Sequence, residues 1–368
     1  MRRLVLVGGG HANIEVLRQF GMAPVAGCEV MLLSAPPHTA YSGMLPGLIA
    51  GHYAWQEAHI DLRPLAERAG ARYSFVRAVG LDLERCIVRC ADGAEVAYDW
   101  LGLDIGSTPN TAPIEHADAI GLPVRPVERL LAGVDGLLGE AAQKNLHVVV
   151  IGGGAGGIEL CLALHHRLRL DAVERAARFT VVTLSEQILP GYPNGARARL
   201  QRILDERGVG IRTRTKVVSA QSDGIVLDSG EQVHADRVVW ATGPAAAAWP
   251  SASGLRCDAD GFVLVDRHLR SISHPHVFAA GDMATVADHP HPKSGVYAVR
   301  HGAVLAQNLR RALRGDRLLR FEPQKRALQL ISTGDRCAVA AWDRWSLEGS
   351  TVWRWKDWID RRFMARYR

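Results

Sequence analysis

Two glycine runs carry the strongest chemical signal in this 368-residue sequence. The runs at 8–10 (GGG) and 152–157 (GGGAGG) each stand between a short apolar stretch and a stretch with helical spacing. Glycine lets a backbone turn approach a phosphate closely, and the helix that follows directs free N–H groups and its positive dipole end at the anion. One such run is equally compatible with ordinary packing. Two of them predict two dinucleotide-binding sites in one chain.

The elements around the two runs recur in the same order. Each copy has a strand, a glycine turn, a helix, a second strand, several short strands and a closing glycine. Apart from the glycine turn, the predicted elements of the first copy are, in that order, Leu4–Val7, Ile14–Phe20, Glu29–Leu33, Arg72–Ile105 and Gly106. Those of the second copy are Leu146–Ile151, Ile158–Leu170, Phe179–Leu184, Ile211–Arg237 and Gly243. Recurrence in a fixed order predicts a domain duplication rather than a short-period repeat. The expected fold is α/β, with two Rossmann-like, three-layer domains.

Composition and charge exclude several classes of protein. Apolar residues make up 48% and charged residues 22%, as in ordinary globular proteins. The net charge is +6, and much of the basic excess lies in residues 351–368, so a nucleic-acid partner is not expected. The start, MRRLVLVGGG, does not resemble a signal peptide, and no apolar run reaches about 18 residues. These features predict a cytoplasmic protein.

The six cysteines do not form a redox or metal motif. No C-x-x-C occurs, which disfavours a structural zinc site and a thioredoxin-type dithiol, and no metal site is expected. Cys86 and Cys90 would lie on one face of a strand, roughly 13 Å apart. A cysteine-based disulfide reductase or sulfide oxidase is therefore disfavoured.

The second half of the chain adds two features. The apolar run 277–280 ends in Gly281-Asp282, where a carboxylate could hold a ribityl hydroxyl or simply cap a turn. Lys293, Ser294 and Gly295 precede a predicted helix, Val296–Leu313, whose N-terminus would present positive potential to an anion.

Together the motifs resemble a known family. They are GGGHAN (8–13), YSGMLPGLIAGHY (41–53), DIGS (104–107), GGGAGGIE (152–159), ATG (241–243), FAAGD (278–282), KSGVYAVRHG (293–302) and WRWKDWIDRRFM (353–364). This set resembles the pyridine nucleotide–disulfide oxidoreductase superfamily, and within it the type II NADH dehydrogenase-like FAD/NAD(P)-binding proteins found alone or fused to selenophosphate synthetase. The resemblance implies that the second domain is inserted in the first. Residues 1–112 and 245–318 would bind FAD, residues 113–244 would bind NAD(P)H, and residues 319–368 would form a C-terminal cap with an amphipathic basic tail.

The resemblance also assigns roles to single residues. FAD would be bound by Gly8, Gly10, His11, Ala12, Ser34, Ser42, Gly43, Pro46, Gly106, Ser107, Gly281, Asp282, Gly295 and Val296. NAD(P)H would be bound by Gly152, Gly154, Gly157, Glu186 and Gly243. The candidate catalytic residues are Glu159, which resembles the acid near the nicotinamide, and Lys293, which stands just before the helix that faces the flavin.

Two positions depart from the family pattern, and a third bears on the choice between NADH and NADPH. Asn13 stands where a third glycine is usual, and Ser34 stands where an acid usually accepts the ribose hydroxyls, which leaves loss of FAD open. Glu186 follows the second strand of the second domain, where it would bind a ribose and repel a 2′-phosphate. NADH is therefore favoured over NADPH.

The resemblance implies an FAD-dependent NAD(P)H oxidoreductase that passes hydride from NADH to FAD and electrons on to a small acceptor such as a quinone. Two alternatives stay open: a flavoprotein that oxidises or reduces an inorganic sulfur or selenium species, and a non-catalytic sensor of nucleotide redox state.

The C-terminal tail bears on the partners. Val352, Trp355, Trp358, Ile359 and Phe363 follow helical spacing and are flanked by cationic residues. Such a helix could contact an anionic membrane, which would make the protein peripheral on the inner membrane face. It could instead dock over the flavin domain or form a homodimer interface, with its tryptophans buried.

Overall fold

Two five-stranded parallel sheets, in which four of the five strands follow the same spatial order, frame the computed structural model, which describes residues 1–118, 120–171, 177–324 and 327–368. The strands of the first sheet lie in the order Val277–Ala279, Trp100–Leu103, Arg2–Val7, Cys28–Leu33 and Arg72–Ser74. Those of the second lie in the order Gly121–Pro123, Arg237–Trp240, Leu146–Ile151, Ala177–Val182 and Gly210–Arg212. The pairings within both sheets are parallel. The predicted α/β fold and its duplication are confirmed.

The central strand of each sheet is buried on both faces, which explains its unbroken apolar sequence. In the strand Leu146–Ile151, Val148 and Val150 join a core shared with the helices Val127–Ala141 and Ala155–Asp171. Val149 and Ile151 point the other way, into a core shared with an antiparallel meander. Alternation along the strand thus builds the predicted three layers.

The first domain repeats this plan. The helices His11–Met22 and Gly295–Arg314 pack together beside the first sheet. The meanders of the two domains consist of the strands Ala78–Asp82, Ile87–Cys90 and Glu95–Ala97 and the strands Val217–Gln221, Gly224–Leu227 and Gln232–His234. A short antiparallel ribbon, formed by Thr108–Pro109 and Pro244–Ala245, lies where the chain leaves the first domain and returns to it. The second domain is therefore inserted in the first, as predicted.

The C-terminal part adds a three-stranded antiparallel sheet, Gln329–Ser332, Ala338–Trp342 and Trp345–Gly349, and the helix Ser350–Met364. The helix docks onto the protein, but its buried face differs from the predicted one. Val352, Lys356, Asp360, Phe363 and Met364 are buried. The expectation that a docked helix would bury Trp355 and Trp358 is wrong, since both are exposed.

Other differences concern element bounds. The helices predicted from Ile14 and Ile158 begin at His11 and Ala155, because each follows its glycine turn directly. Cys86 lies outside the strand Ile87–Cys90, in a turn with a φ of 54°, so the prediction that Cys86 and Cys90 share one face of a strand is wrong. The segment 34–51 contains a strand and a helix, and the remaining short elements complete the fold: His38–Ala40, Leu45–Ile49, Trp55–Ala58, His59–Asp61, Leu62–Arg68, Asn194–Glu206, Trp249–Ala252, Val263–Val265, Gly281–Met283 and Ala284–Val286.

Candidate functional site

The first glycine turn closes around a buried carboxyl group. Gly8 has a φ of +90°, and a Cβ on it would lie 2.3 Å from the Asp104 carbonyl oxygen. A Cβ on Gly10 would lie 2.2 Å from the Asp104 Cγ, and one on Gly281 would lie 2.3 Å from its Oδ1. Only glycine therefore fits at these three positions, and the structure brings Gly281 beside Gly8 and Gly10 around Asp104.

Asp104 is a site residue that the sequence reasoning missed. Its Oδ2 accepts hydrogen bonds from the Ala12 N–H at 2.7 Å and the Asn13 N–H at 3.4 Å. Burial raises the pKa of Asp104 to about 7, and the negative charge of Asp282 adds to that rise. Its signal was an acid directly after the buried strand Trp100–Leu103, which pairs with the strand leading into the glycine turn.

The two departures in the first domain have local explanations. The Asn13 side chain donates hydrogen bonds to the carbonyl oxygens of Val7 at 3.0 Å and Gly8 at 2.9 Å, so it ties the helix to the turn. Ser34 is buried at the end of the second strand, and its hydroxyl donates to the Pro36 carbonyl at 3.2 Å. A Cβ on Gly9 would lie 3.2 Å from the Ser34 hydroxyl, so Ser34 faces the turn.

Two buried imidazoles line the first site with unsatisfied nitrogen atoms. The His11 ring packs against Tyr41 and Phe363, with centroids 5.6 and 5.9 Å away, and burial lowers its pKa to about 4. His301 accepts the Gly281 N–H through Nδ1 at 3.0 Å, and burial lowers its pKa to about 3. The Nε2 atom of each ring is buried without a hydrogen-bond partner. Such atoms fit a cofactor that brings its own polar groups.

Asp282 meets Ser107, which directly precedes the ribbon between the domains, and Arg125 of the second domain. Its carboxylate accepts hydrogen bonds from Arg125 at 3.0 Å and from the Ser107 hydroxyl at 3.4 Å. Arg125, which the sequence reasoning missed, also donates to Ser107, and Gly106 lies beside its guanidinium. The structure therefore brings Gly106, Ser107 and Asp282 together.

The start of the helix Gly295–Arg314 faces the loop around Ser42. A Cβ on Gly295 would lie 2.9 Å from the Ser42 hydroxyl, Val296 is partly exposed in the first turn, and Pro46 is buried in the helix Leu45–Ile49. The Lys293 ammonium donates to the Ala284 carbonyl at 2.5 Å and the Thr285 hydroxyl at 2.8 Å. Burial lowers the pKa of Lys293 to about 8.

The second glycine turn opens into a cleft of about 690 Å³. A Cβ on Gly157 would lie 2.0 Å from the Gly152 carbonyl, whereas one on Gly154 would meet no atom within 4 Å. The Thr242 hydroxyl is buried without a partner. The cleft is also lined by Gly243, and it reaches Ser107, Asp282 and Lys293 of the first domain. The cleft thus runs from the second glycine turn to residues of the first domain, and its free backbone and orphaned hydroxyl fit a nucleotide.

A second buried charged group lies where both domains meet the C-terminal part. Glu159 accepts the Ser332 N–H at 2.8 Å, and burial raises its pKa to about 7 although Lys356 opposes the rise. The Lys356 ammonium pairs with Asp360 at 2.6 Å and donates to the Gly43 carbonyl at 2.5 Å. Tyr41 completes the group through a hydrogen bond with Asp360. Lys356 and Asp360 were missed by the sequence reasoning, although they stand four residues apart on the amphipathic tail.

Glu186, predicted to hold the ribose, lies outside this cleft lining. Its carboxylate accepts a hydrogen bond from Arg214 at 2.9 Å, and both side chains are largely exposed. In the described part of the chain, no three His, Cys, Asp or Glu side chains are arranged to hold a metal ion.

Two Rossmann-like domains, each with its own glycine turn and with a cleft that reaches from the second turn to the first domain, define a class of oxidoreductases that bind two dinucleotides. The chain belongs to the pyridine nucleotide-disulphide oxidoreductase family, whose model matches residues 2–302. It is therefore an FAD-dependent NAD(P)H oxidoreductase, as the sequence motifs implied.

Individual relatives agree with this assignment. An NADH dehydrogenase-like protein of Mycobacterium tuberculosis is 29% identical over 298 residues, which are 77% of this chain and 73% of that protein. The sulfide:quinone oxidoreductase of Aquifex aeolicus has the same fold, with a TM-score of 0.84 over 100% of this chain and 92% of its own, at 17% identity. NDH2 of Plasmodium falciparum, solved with NADH, gives 0.80 over 99% and 97%, at 15% identity.

Proposed function

We propose that this oxidoreductase reduces a quinone with electrons from NAD(P)H. The carrying observation is the buried group of Glu159, Lys356 and Asp360, set between the nucleotide domain, the loop at Gly43 and the C-terminal helix. Reduction of a quinone to a quinol takes two electrons and two protons, and NAD(P)H supplies only one proton with its hydride. The second proton must come from the enzyme or from water, so a buried proton donor suits this acceptor.

The site's own residues divide the work. We assign FAD to the first glycine turn, in residues 1–112 and 245–318, and NAD(P)H to the second, in residues 113–244, with residues 319–368 as the cap. FAD, when bound, supplies the two-electron carrier between nucleotide and acceptor. The start of the helix Gly295–Arg314 offers its positive end to developing negative charge. Glu159, with a pKa of about 7, holds a proton near neutral pH, and Lys356 is a second donor within the same group.

The quinone proposal is tested by separating the two halves of the reaction. Glu159→Gln and Lys356→Met should each lower quinone-dependent turnover by roughly 10²-fold or more, the usual effect of removing a proton donor. Anaerobic bleaching of the flavin by NAD(P)H should change little. Lys144→Met, which removes an exposed lysine paired with Asp236, is the matched control. If both variants keep full quinone turnover, or if wild-type enzyme reduces no quinone, the proposal is wrong.

The two alternatives from the sequence make different predictions for the same protein. A sulfur- or selenium-oxidising enzyme would be bleached by sulfide or selenide and not by NAD(P)H. A non-catalytic sensor would bind the nucleotide without any change in flavin absorbance. The described cysteines are free, and burial raises the pKa of Cys161, two residues from Glu159, to about 12, which suppresses the nucleophilic thiolate. We therefore prefer the hypothesis that the enzyme takes its electrons from NAD(P)H.

The C-terminal unit, residues 319–368, also supports contact with an anionic membrane surface. Its exposed apolar residues are Trp342, Trp345, Leu347, Trp355 and Trp358. Arg362 lies over the Trp358 ring at 5.2 Å, and the unit carries an excess of cations. Tryptophan beside arginine suits the boundary between lipid headgroups and acyl chains, where a quinone would be reached. Among the described residues, no helix is both long and apolar enough to cross a bilayer.

Flotation with phosphatidylglycerol vesicles tests this contact. The pair Trp345→Ser and Leu347→Ser should abolish flotation of the full-length protein, whereas Phe75→Ser, which removes an exposed aromatic ring far from this unit in sequence, should not. Wild-type protein that stays with the soluble fraction at low ionic strength would refute the membrane contact.

A further inference from the structure

One end of the nucleotide cleft is lined by hydroxyl and cationic side chains and not by an acid. Beyond the second glycine turn the lining residues are Thr183, Leu184, Ser185, Thr215 and Lys216. Residues that follow the second strand of a Rossmann-like domain contact the adenosine ribose, and an acid there selects the free 2′-hydroxyl of NAD(H). This end of the cleft therefore decides between the two pyridine nucleotides.

Backbone hydrogen bonds fix these residues side by side. The Thr183 N–H donates to the Arg212 carbonyl at 2.9 Å, and the Thr215 N–H donates back to the Thr183 carbonyl at 3.0 Å. The Arg214 N–H donates to the Ser185 carbonyl at 3.0 Å. The segment that carries Lys216 is thus held against the end of the second strand.

Thr183 occupies the position that an acid would need. It follows the strand Ala177–Val182 directly, and a Cβ on Gly153 would lie 3.0 Å from its hydroxyl. That hydroxyl accepts only a 3.3 Å bond from the Ser185 N–H among described groups, so it can still donate. A neutral hydroxyl at this position does not repel a phosphate.

The nearby carboxylates of Glu186 and Asp282 already form ion pairs with arginine side chains. Glu186 pairs with Arg214 and does not line the cleft. Asp282 is the one acid among the described lining residues, but it belongs to the first domain and pairs with Arg125. Lys216, in contrast, is exposed, and its ammonium forms no ion pair with any residue in the described ranges.

We propose that this enzyme prefers NADPH over NADH, and that the Lys216 ammonium binds the 2′-phosphate with the Thr183 and Ser185 hydroxyls beside it. A phosphate dianion forms charge-assisted hydrogen bonds with an ammonium, and no carboxylate at the described ribose end opposes it. The proposal reverses the preference for NADH that Glu186 suggested in the sequence. It rests on the assignment of the second glycine turn to the pyridine nucleotide.

Calorimetric titration of the FAD-loaded protein with NADP⁺ and NAD⁺ tests the proposal without relying on turnover. Wild-type protein should bind NADP⁺ with a Kd about tenfold lower than that of NAD⁺, the gain expected from one charge-assisted hydrogen bond. Lys216→Gln should remove the difference by weakening NADP⁺ alone, and Lys216→Arg should keep most of it. Lys144→Gln is the matched control, because it removes an exposed lysine before the first strand of the same domain.

The possible results distinguish the preference for NADPH from the assignment of the second glycine turn to a pyridine nucleotide. Equal binding of the two nucleotides by wild type, tighter binding of NAD⁺, or a Lys216→Gln effect that is equal for both nucleotides would overturn the preference while leaving the nucleotide site intact. A loss of discrimination in Glu186→Gln but not in Lys216→Gln would also overturn it. If neither nucleotide binds, the assignment of the second turn fails together with the inference.

Discussion

Replacement of Glu159 by Gln measures how much stability the protein loses when the Glu159 carboxyl group ionises. Burial raises the pKa of Glu159 from its ordinary value of 4.5 to about 7. The unfolded chain therefore ionises first, and the wild-type protein loses stability as the pH rises from about 4.5 to about 7, with no further loss above that range. The gap corresponds to about 3 kcal/mol. Gln keeps the oxygen that accepts the Ser332 N–H but carries no charge.

Thermal denaturation of FAD-loaded Glu159→Gln and wild-type protein between about pH 5 and about pH 8 is the assay. The variant should match wild type at the acidic end and melt roughly 4 °C higher at the basic end, given the unfolding entropy of a chain of this size. Glu186→Gln, which alters an exposed ion pair, should show no such trend. A stability difference that does not change with pH, or one that favours wild type at high pH, would refute the reasoning.

Three further predictions concern the first site, with thermal stability and bound FAD as measurements. Asp104→Asn should keep FAD. Asp104→Ala should lower the free energy of unfolding by about 1–3 kcal/mol, because a helix N–H loses its acceptor. Equal stabilities of the two variants would contradict this. Gly281→Ala should lose FAD because its Cβ would meet the Asp104 carboxyl group, while Gly27→Ala, also at positive φ but in open space, should keep it. Arg125→Met should destabilise the protein by about 1–2 kcal/mol through the buried Asp282 carboxylate, and less when Asp282→Asn is added; an unchanged melting temperature would show that the pair is not needed.

The parts of the fold that could be predicted depend on local signals. A run such as LHVVVI followed by GGGAGG specifies a buried strand and a turn without reference to distant residues. The same pattern in the first domain predicted the strand Leu4–Val7 and its turn, and the observed strand begins two residues earlier, at Arg2. The recurrence of the whole order then predicted the duplication, because two similar strings of elements fold in the same way.

The groups that sequence reasoning missed depend on contacts between distant segments. Asp104 becomes part of the first site only because three glycines from two separate segments pack around it. Lys356 and Asp360 read as ordinary charges on an amphipathic helix, yet they are buried because Gly43 and Tyr41 lie opposite them. A period of 3.6 residues can locate a helix but does not say which of its faces the rest of the chain will cover.

The central claim is that a pyridine nucleotide bound at the second glycine turn reaches an FAD bound at the first. Anaerobic titration of the FAD-loaded protein with NADPH and with NADH, followed by flavin absorbance, tests it most directly. We expect complete bleaching by a stoichiometric amount of nucleotide. A flavin that stays oxidised with both nucleotides, although calorimetry shows that they bind, would contradict this claim.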